Sequence, residues 1–178
     1  APTALAGADY RIITLPELLD FVQAYSQSDT KTPEQRANAA QVLFNIETKR
    51  KPDRPSAIGD DFDGENPGAF ERAILDLIVE AGVYGRVTIQ SFDHRSLWAI
   101  RSVDADIPLA ALTSRTVPDL ADLAARGATI WSPRFNDVTS DLLTQAQAAG
   151  LAVVPWTVND PADMQRLIDM GVDGLITD

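Results

Sequence analysis

None of the 178 residues is a cysteine. That removes disulfides, thiolate metal sites and cysteine nucleophiles together, while leaving every redox compartment open to the chain. Histidine is nearly as scarce. His94 is the only one, so a mechanism that needs two imidazoles cannot be run by these residues alone. Basic side chains are outnumbered, 15 against 26 acidic ones, for a formal charge of −11. No run of lysine and arginine forms a positive stripe, which argues against nucleic acid as a partner. The longest apolar run falls well short of the ~18 residues that cross a bilayer, so no transmembrane segment is expected. The opening Ala1-Pro2-Thr3 does not read as the charged start of a signal peptide, and localisation stays open. A Walker loop, a Gly-x-Ser-x-Gly elbow and a dinucleotide fingerprint are all missing.

What is present is a repeated pattern: a short β-branched apolar run, a few polar residues, then an amphipathic stretch ending near glycine, as in βα units. Strands are expected at Val42–Glu47, Val87–Ser91, Ile107–Thr113, Ala128–Ser132, Leu151–Val158 and Gly174–Thr177. The last five begin 20 to 23 residues apart, which implies parallel strands joined by helical crossovers. Helices are expected over Pro16–Tyr25 and His94–Val103. Others should run from Pro118 to Gly127, from Thr139 (as cap) to Gly150, and from Asp160-Pro161 to Gly171. The wide gap between the first two strands holds residues 50–68, rich in proline, glycine and aspartate. It reads as a long loop at the C-terminal end of a strand, where α/β folds keep their chemistry, forming a rim or a lid.

The strongest local signal is Asn45-Ile46-Glu47-Thr48-Lys49. Alternation puts Glu47 and Lys49 on one face, opposite Ile46 and Thr48. A carboxylate at that strand end can bind a hard divalent cation, and a lysine two residues on can steady a phosphate or sulfate oxygen; a plain ion pair explains the same residues. Trp156 is either core or an apolar platform with one donor. Gln90 and Asp93 flank the end of another strand, where Gln90 can touch a substrate and Asp93 suits a helix cap. His94 is expected as a surface residue at a helix start. In Asp60-Asp61-Phe62-Asp63-Gly64 the EF-hand register fails, because Gly59 and Phe70 fall on ligand positions, leaving a solvated acidic loop.

Four segments in order, Asn45-Ile-Glu-Thr-Lys49, Ile89-Gln-Ser-Phe-Asp93, Val154-Pro-Trp-Thr-Val-Asn159 and Gly171-Val-Asp-Gly-Leu-Ile-Thr-Asp178, resemble the glycerophosphodiester phosphodiesterase family. The likeness runs from about Ile13 to Asp178, and Trp131-Ser132-Pro133 is similar to its bacterial, often secreted, members. The resemblance implies a (β/α)₈ TIM barrel in the α/β class, and hydrolysis of glycerophosphodiesters to glycerol 3-phosphate and an alcohol with Ca²⁺ or Mg²⁺. It implies Glu47 as a metal ligand, Lys49 beside the phosphate, Trp156 against the glycerol end of the substrate and Gln90 lining the mouth.

The departures matter equally. The family's two catalytic histidines, in a His-Arg-Gly and a His-Asp segment, have no counterpart here, nor does its Glu-x-Asp strand. His94 is no substitute, since it follows Phe92-Asp93, where the family has no catalytic histidine. A chain of 178 residues is shorter than the typical barrel of ~250, so about six of eight strands are expected in one domain, the C-terminal part of the barrel. An open sheet exposes strand edges and an inner face, which calls for the missing N-terminal barrel segment elsewhere, as a separate or nicked chain. On these grounds the 178-residue chain alone is expected to be inactive. Two other readings stand beside this one: a non-catalytic half-barrel that binds phosphate, glycerol or a partner, and a Schiff-base lyase using Lys49.

Overall fold

The computed structural model describes residues 11–178; Ala1-Pro2-Thr3 lies outside them. The order of elements is α1 (Leu15–Gln27), α2 (Pro33–Ala40), β1 (Phe44–Glu47), α3 (Ala69–Glu80), β2 (Val87–Ser91), α4 (His94–Arg101), β3 (Leu109–Thr113), α5 (Leu120–Ala125), β4 (Ile130–Pro133), α6 (Ser140–Ala148), β5 (Ala152–Val153) and α7 (Pro161–Met170). The strands form one parallel sheet in the order β1-β2-β3-β4-β5.

The first turn of a helix leaves backbone N–H groups without partners, and an oxygen-bearing side chain repeatedly stands there. Thr139 accepts from Leu142 N at 3.2 Å, Asp93 from Arg95 N at 3.3 Å, and Asp160 from Ala162 N at 2.8 Å. One start moves from its expected place. Asp119, not Pro118, bounds α5, because its carboxylate accepts from both Ala121 N and Asp122 N.

β1, β3 and β4 start two residues later than the apolar runs suggest, and the last two expected strands depart further. β5 is two residues long because Pro133 of β4 has no N–H to give to Val154 O, which accepts from Ser132 Oγ at 2.7 Å instead. Beyond β5 the chain still follows β4, with Trp156 N donating to Pro133 O at 2.9 Å. The expected sixth strand, Gly174–Thr177, forms no assigned strand. Its Ile176 N donates to Pro155 O at 2.9 Å, but Ile176 O accepts from Val158 N rather than from Thr157 N, so the ladder bulges by one residue.

All the helices from α3 to α6 cover one face of the sheet. Ile74, Ile78, Leu97, Ile100, Leu123 and Leu143 join Val87, Ile89, Leu109, Ala111, Trp131 and Val153 in one buried cluster. This single apolar layer fixes the register of the strands and so of their ends. The opposite, concave face is different. Asn45, Thr88, Gln90, Ile130, Val154 and Ile176 line a cleft of about 220 Å³, and Leu43 at its lower edge is 76% exposed.

Candidate active site

β1 delivers its last residues to the C-terminal end of the concave face. Glu47 stands opposite Gln90 in the parallel register. One pleat below, Asn45 Nδ2 donates to Gln90 Oε1 at 3.0 Å. The Glu47 side chain is 18% exposed, and its Oε2 lies 2.8 Å from Lys49 Nζ. The strand ends at Glu47, and Lys49 turns out of it with φ 55, a left-handed conformation that costs an L-residue roughly 1–2 kcal/mol. Its neighbours on both sides compensate. Thr48 is fully buried, donates from Oγ1 to Ser91 Oγ at 2.8 Å and from N to Gln90 O at 3.0 Å, and Arg50 is buried as well.

Arg50 turns all three of its guanidinium nitrogens to carboxylates of the protein. Nε and Nη2 donate to Glu71 at 2.5 and 2.8 Å, and Nη1 and Nη2 donate to Asp60 at 3.0 and 2.5 Å. The Phe62 ring covers its face at 4.1 Å. Glu71 also accepts from Ser96 Oγ at 2.7 Å and Gly68 N at 3.0 Å. Burial pushes the Glu71 carboxyl up, but the hydrogen bonds from Arg50 and Ser96 outweigh it and hold the group below its ordinary value. Asp60 is held down chiefly by its bonds from Arg50. This corrects the expectation of a solvated acidic loop: Asp60 is part of a buried ion pair, whereas Asp63 caps a surface turn by accepting from Glu65 N and Asn66 N at 2.8 Å each.

Trp156 is neither core nor free. It is half-buried, donates from Nε1 to Ser132 O at 3.0 Å and meets Phe92 edge to face at 5.5 Å. Phe92 is 40% exposed, so the pair forms an aromatic wall of the mouth above Gln90. Asp93 is buried. Desolvation raises its carboxyl, yet the paired Arg95 brings it below the ordinary range, and the side chain caps α4 as expected. His94 departs from the surface role expected of it. It is half-buried, with Nε2 donating to Leu112 O at 2.9 Å and the ring against Trp98, because the start of α4 packs over the end of β3.

Known proteins resolve what this arrangement belongs to. Residues 2–178 match the model of the glycerophosphoryl diester phosphodiesterase family. The chain belongs to that family. It is similar to the uncharacterized protein YqiK of Bacillus subtilis, at 33% identity over 115 residues, covering 61% of this chain and 46% of the relative. A glycerophosphodiester phosphodiesterase of Caldanaerobacter subterraneus is 31% identical over 113 residues, covering 63% of this chain and 46% of that one. A solved structure of a Silicibacter pomeroyi protein assigned to the same enzyme class superposes with a TM-score of 0.71 at 28% identity, over 92% of this chain and 52% of that chain. The five-stranded parallel sheet is thus part of a phosphodiesterase TIM barrel, and the chain spans about half the length of these curated relatives.

The described candidate site is one-sided. Among the described residues no group of three or more His, Asp or Glu side chains could hold a metal ion. A hard divalent cation takes about six oxygens, and Glu47 offers one carboxylate already facing Lys49, so these residues by themselves do not make a metal site. No helix of the described residues is long and apolar enough to cross a membrane. Three contributors to the mouth escape a reading of the sequence. Phe92 is signalled by alternation from Gln90, and Asn45 by alternation from Glu47. Arg50 carries no local signal, since its partners lie 10 and 21 residues away.

Proposed function

We propose that the complete protein hydrolyses glycerophosphodiesters to glycerol 3-phosphate and an alcohol, and that this chain supplies one wall of its active site. What supports the reading is that Glu47, Lys49, Gln90 and Trp156 lie at or just beyond the C-terminal ends of β1, β2 and β5, on segments in the order of the family's motifs. Lys49, 76% exposed, steadies a phosphate oxygen. The Phe92–Trp156 wall packs against the glycerol end of the substrate, and Gln90, oriented by Asn45, lines the mouth below it. Glu47 gives one ligand to a Ca²⁺ or Mg²⁺ ion whose other ligands come from residues outside this chain; such a cation, when bound, polarises the phosphoryl group.

The general acid and base also come from outside, since the chain's one histidine is committed to a backbone carbonyl. One deprotonates the nucleophile and the other protonates the leaving alcohol. The remaining barrel strands cover the cleft beside Leu43 and complete the site, so the 178-residue chain alone is inactive. The deciding experiment is an assay of the full-length protein on glycerophosphodiesters with and without EDTA, alongside Glu47→Gln and its binding of Ca²⁺ by calorimetry. Hydrolysis that ignores EDTA and survives Glu47→Gln would refute the reading. The single histidine equally suits a non-catalytic half-barrel. Adding the missing barrel segment to the isolated chain separates the two, because only the phosphodiesterase reading gives recovered hydrolysis.

A further inference from the structure

We infer that Arg50 is a positioning residue for this mouth: it locks the 51–68 loop as a fixed rim through Asp60 and Glu71, and sets the turn that presents Lys49. What Lys49 then does rests on the proposed phosphodiesterase reading; the positioning itself does not. Lys49 has no packing of its own, being 76% exposed with Glu47 as its ion-pair partner. Its place is therefore set by the residues on either side, and both are anchored. Thr48 is tied to β2 through Ser91, and Arg50 is tied to three further elements at once.

The guanidinium cannot serve a substrate instead. Its Nε, Nη1 and Nη2 all donate to carboxylates, its face is covered by Phe62, and it is 3% exposed. Through Glu71 it reaches α3 and, by Ser96, α4; through Asp60 it reaches the middle of the loop, where Asp60 Oδ2 also takes Phe70 N at 3.3 Å. The returning end of the loop closes onto the same cluster. A Cβ at Gly68 would stand 2.6 Å from Asp60 Oδ2 and 3.1 Å from both Arg50 Nη2 and Glu71 Oε2. A loop held at its start, middle and end by one buried fork is a rim and not a lid. Lysine cannot replace the fork, because an ammonium offers its donors from a single point and cannot engage two carboxylates bidentately.

The test uses the full-length protein with Asp60→Asn, Arg50→Lys, Lys49→Ala and the Asp60→Asn/Lys49→Ala pair, each checked for folding by circular dichroism. Displacing Lys49 lowers kcat on glycerophosphodiesters by about ten- to a hundredfold in Asp60→Asn and in Arg50→Lys. Lys49→Ala then adds little in the Asp60→Asn background, since both remove the same contribution. A second readout needs no activity: hydrogen exchange at backbone amides 49–51 and 60–68 rises in Asp60→Asn while that of β2 stays as in the wild type. Additive losses in the cycle, or unchanged exchange at 49–51, overturn the inference. If the wild-type protein hydrolyses no glycerophosphodiester, the functional reading falls by itself and the exchange result decides the positioning role.

Discussion

Replacing Glu71 by glutamine tests the buried cluster most directly. The carboxylate accepts four hydrogen bonds, two from Arg50 and one each from Ser96 Oγ and Gly68 N, and is fully buried. Glutamine keeps one acceptor oxygen and turns the other into an NH₂ that faces donors. If the oxygen stays with Arg50 Nε and Ser96, then Arg50 Nη2 and Gly68 N lose an acceptor, and the buried guanidinium is left with Asp60 as its only carboxylate. Breaking a buried ion pair costs ~3–5 kcal/mol; because Asp60 remains, the lower end applies, about 3 kcal/mol. At roughly 2–4 °C per kcal/mol for a chain of this size, the melting temperature falls by about 6–12 °C. The pH dependence has a definite sign. Glu71 is held below its ordinary 4.5 in the folded state, so its contribution is complete above that value and is lost as pH falls through the folded value. Thermal melts followed by circular dichroism from pH 7 to pH 3 should show a constant gap between wild type and Glu71→Gln down to about pH 4.5, closing below it. A variant within ~0.5 kcal/mol of wild type at pH 7, or a gap that widens in acid, refutes the argument.

Trp131→Phe removes the indole N–H that donates to Thr113 Oγ1 at 2.9 Å in the core and is expected to cost ~1–3 kcal/mol, read as a lower urea midpoint at unchanged m-value. Gly68→Ala drives a Cβ to 2.6 Å from Asp60 Oδ2 and destabilises by ~1–3 kcal/mol, whereas Gly85→Ala, with nothing within 4 Å of its Cβ, is neutral or slightly stabilising in the same chemical denaturation. Tyr84 donates to Asp104 Oδ1 at 2.6 Å, which pushes its phenol up to about 12. That contribution is complete below pH 10 and is lost as pH rises towards 12, so an ultraviolet titration should show a late ionisation that Tyr84→Phe removes.

The strands were legible wherever apolar alternation met glycine and cap signals, as at Val87–Ser91 with Asp93 behind it. The apolar pattern overstates them where a single residue breaks the ladder: Pro133 shortens β5 and a bulge at Trp156-Thr157 keeps Gly174–Thr177 from pairing regularly. Two helices passed unmarked. α2 has no buried residue at all, so it carries no apolar stripe. α3 has one, through Ile74 and Ile78, but its start is bounded by Gly68, which has no side chain to act as a cap; the cap is completed from inside by Glu71 reaching back to Gly68 N.

The site divides in the same way, between what lies on a strand and what lies across the fold. Glu47, Lys49, Gln90 and Trp156 can be picked out as candidates from the sequence because they lie at or just past strand ends in recognisable segments. Arg50 was not, since the value of a buried arginine depends on partners that only the folded loop brings near. The two faces of the sheet then account for how part of a barrel can hold the candidate site residues in place. Among the described residues, every buried side-chain polar atom has a hydrogen-bond partner, so the helical face and the Arg50 cluster are complete in themselves and keep β1, β2 and the turn at Lys49 in register. The concave face is not complete: Gln90 and Trp156 stay half-exposed and Leu43 stands open. Stability is thus concentrated on the side away from the chemistry. Glu47→Gln should accordingly abolish activity of the full-length protein with little change in melting temperature, whereas Glu71→Gln should lower both.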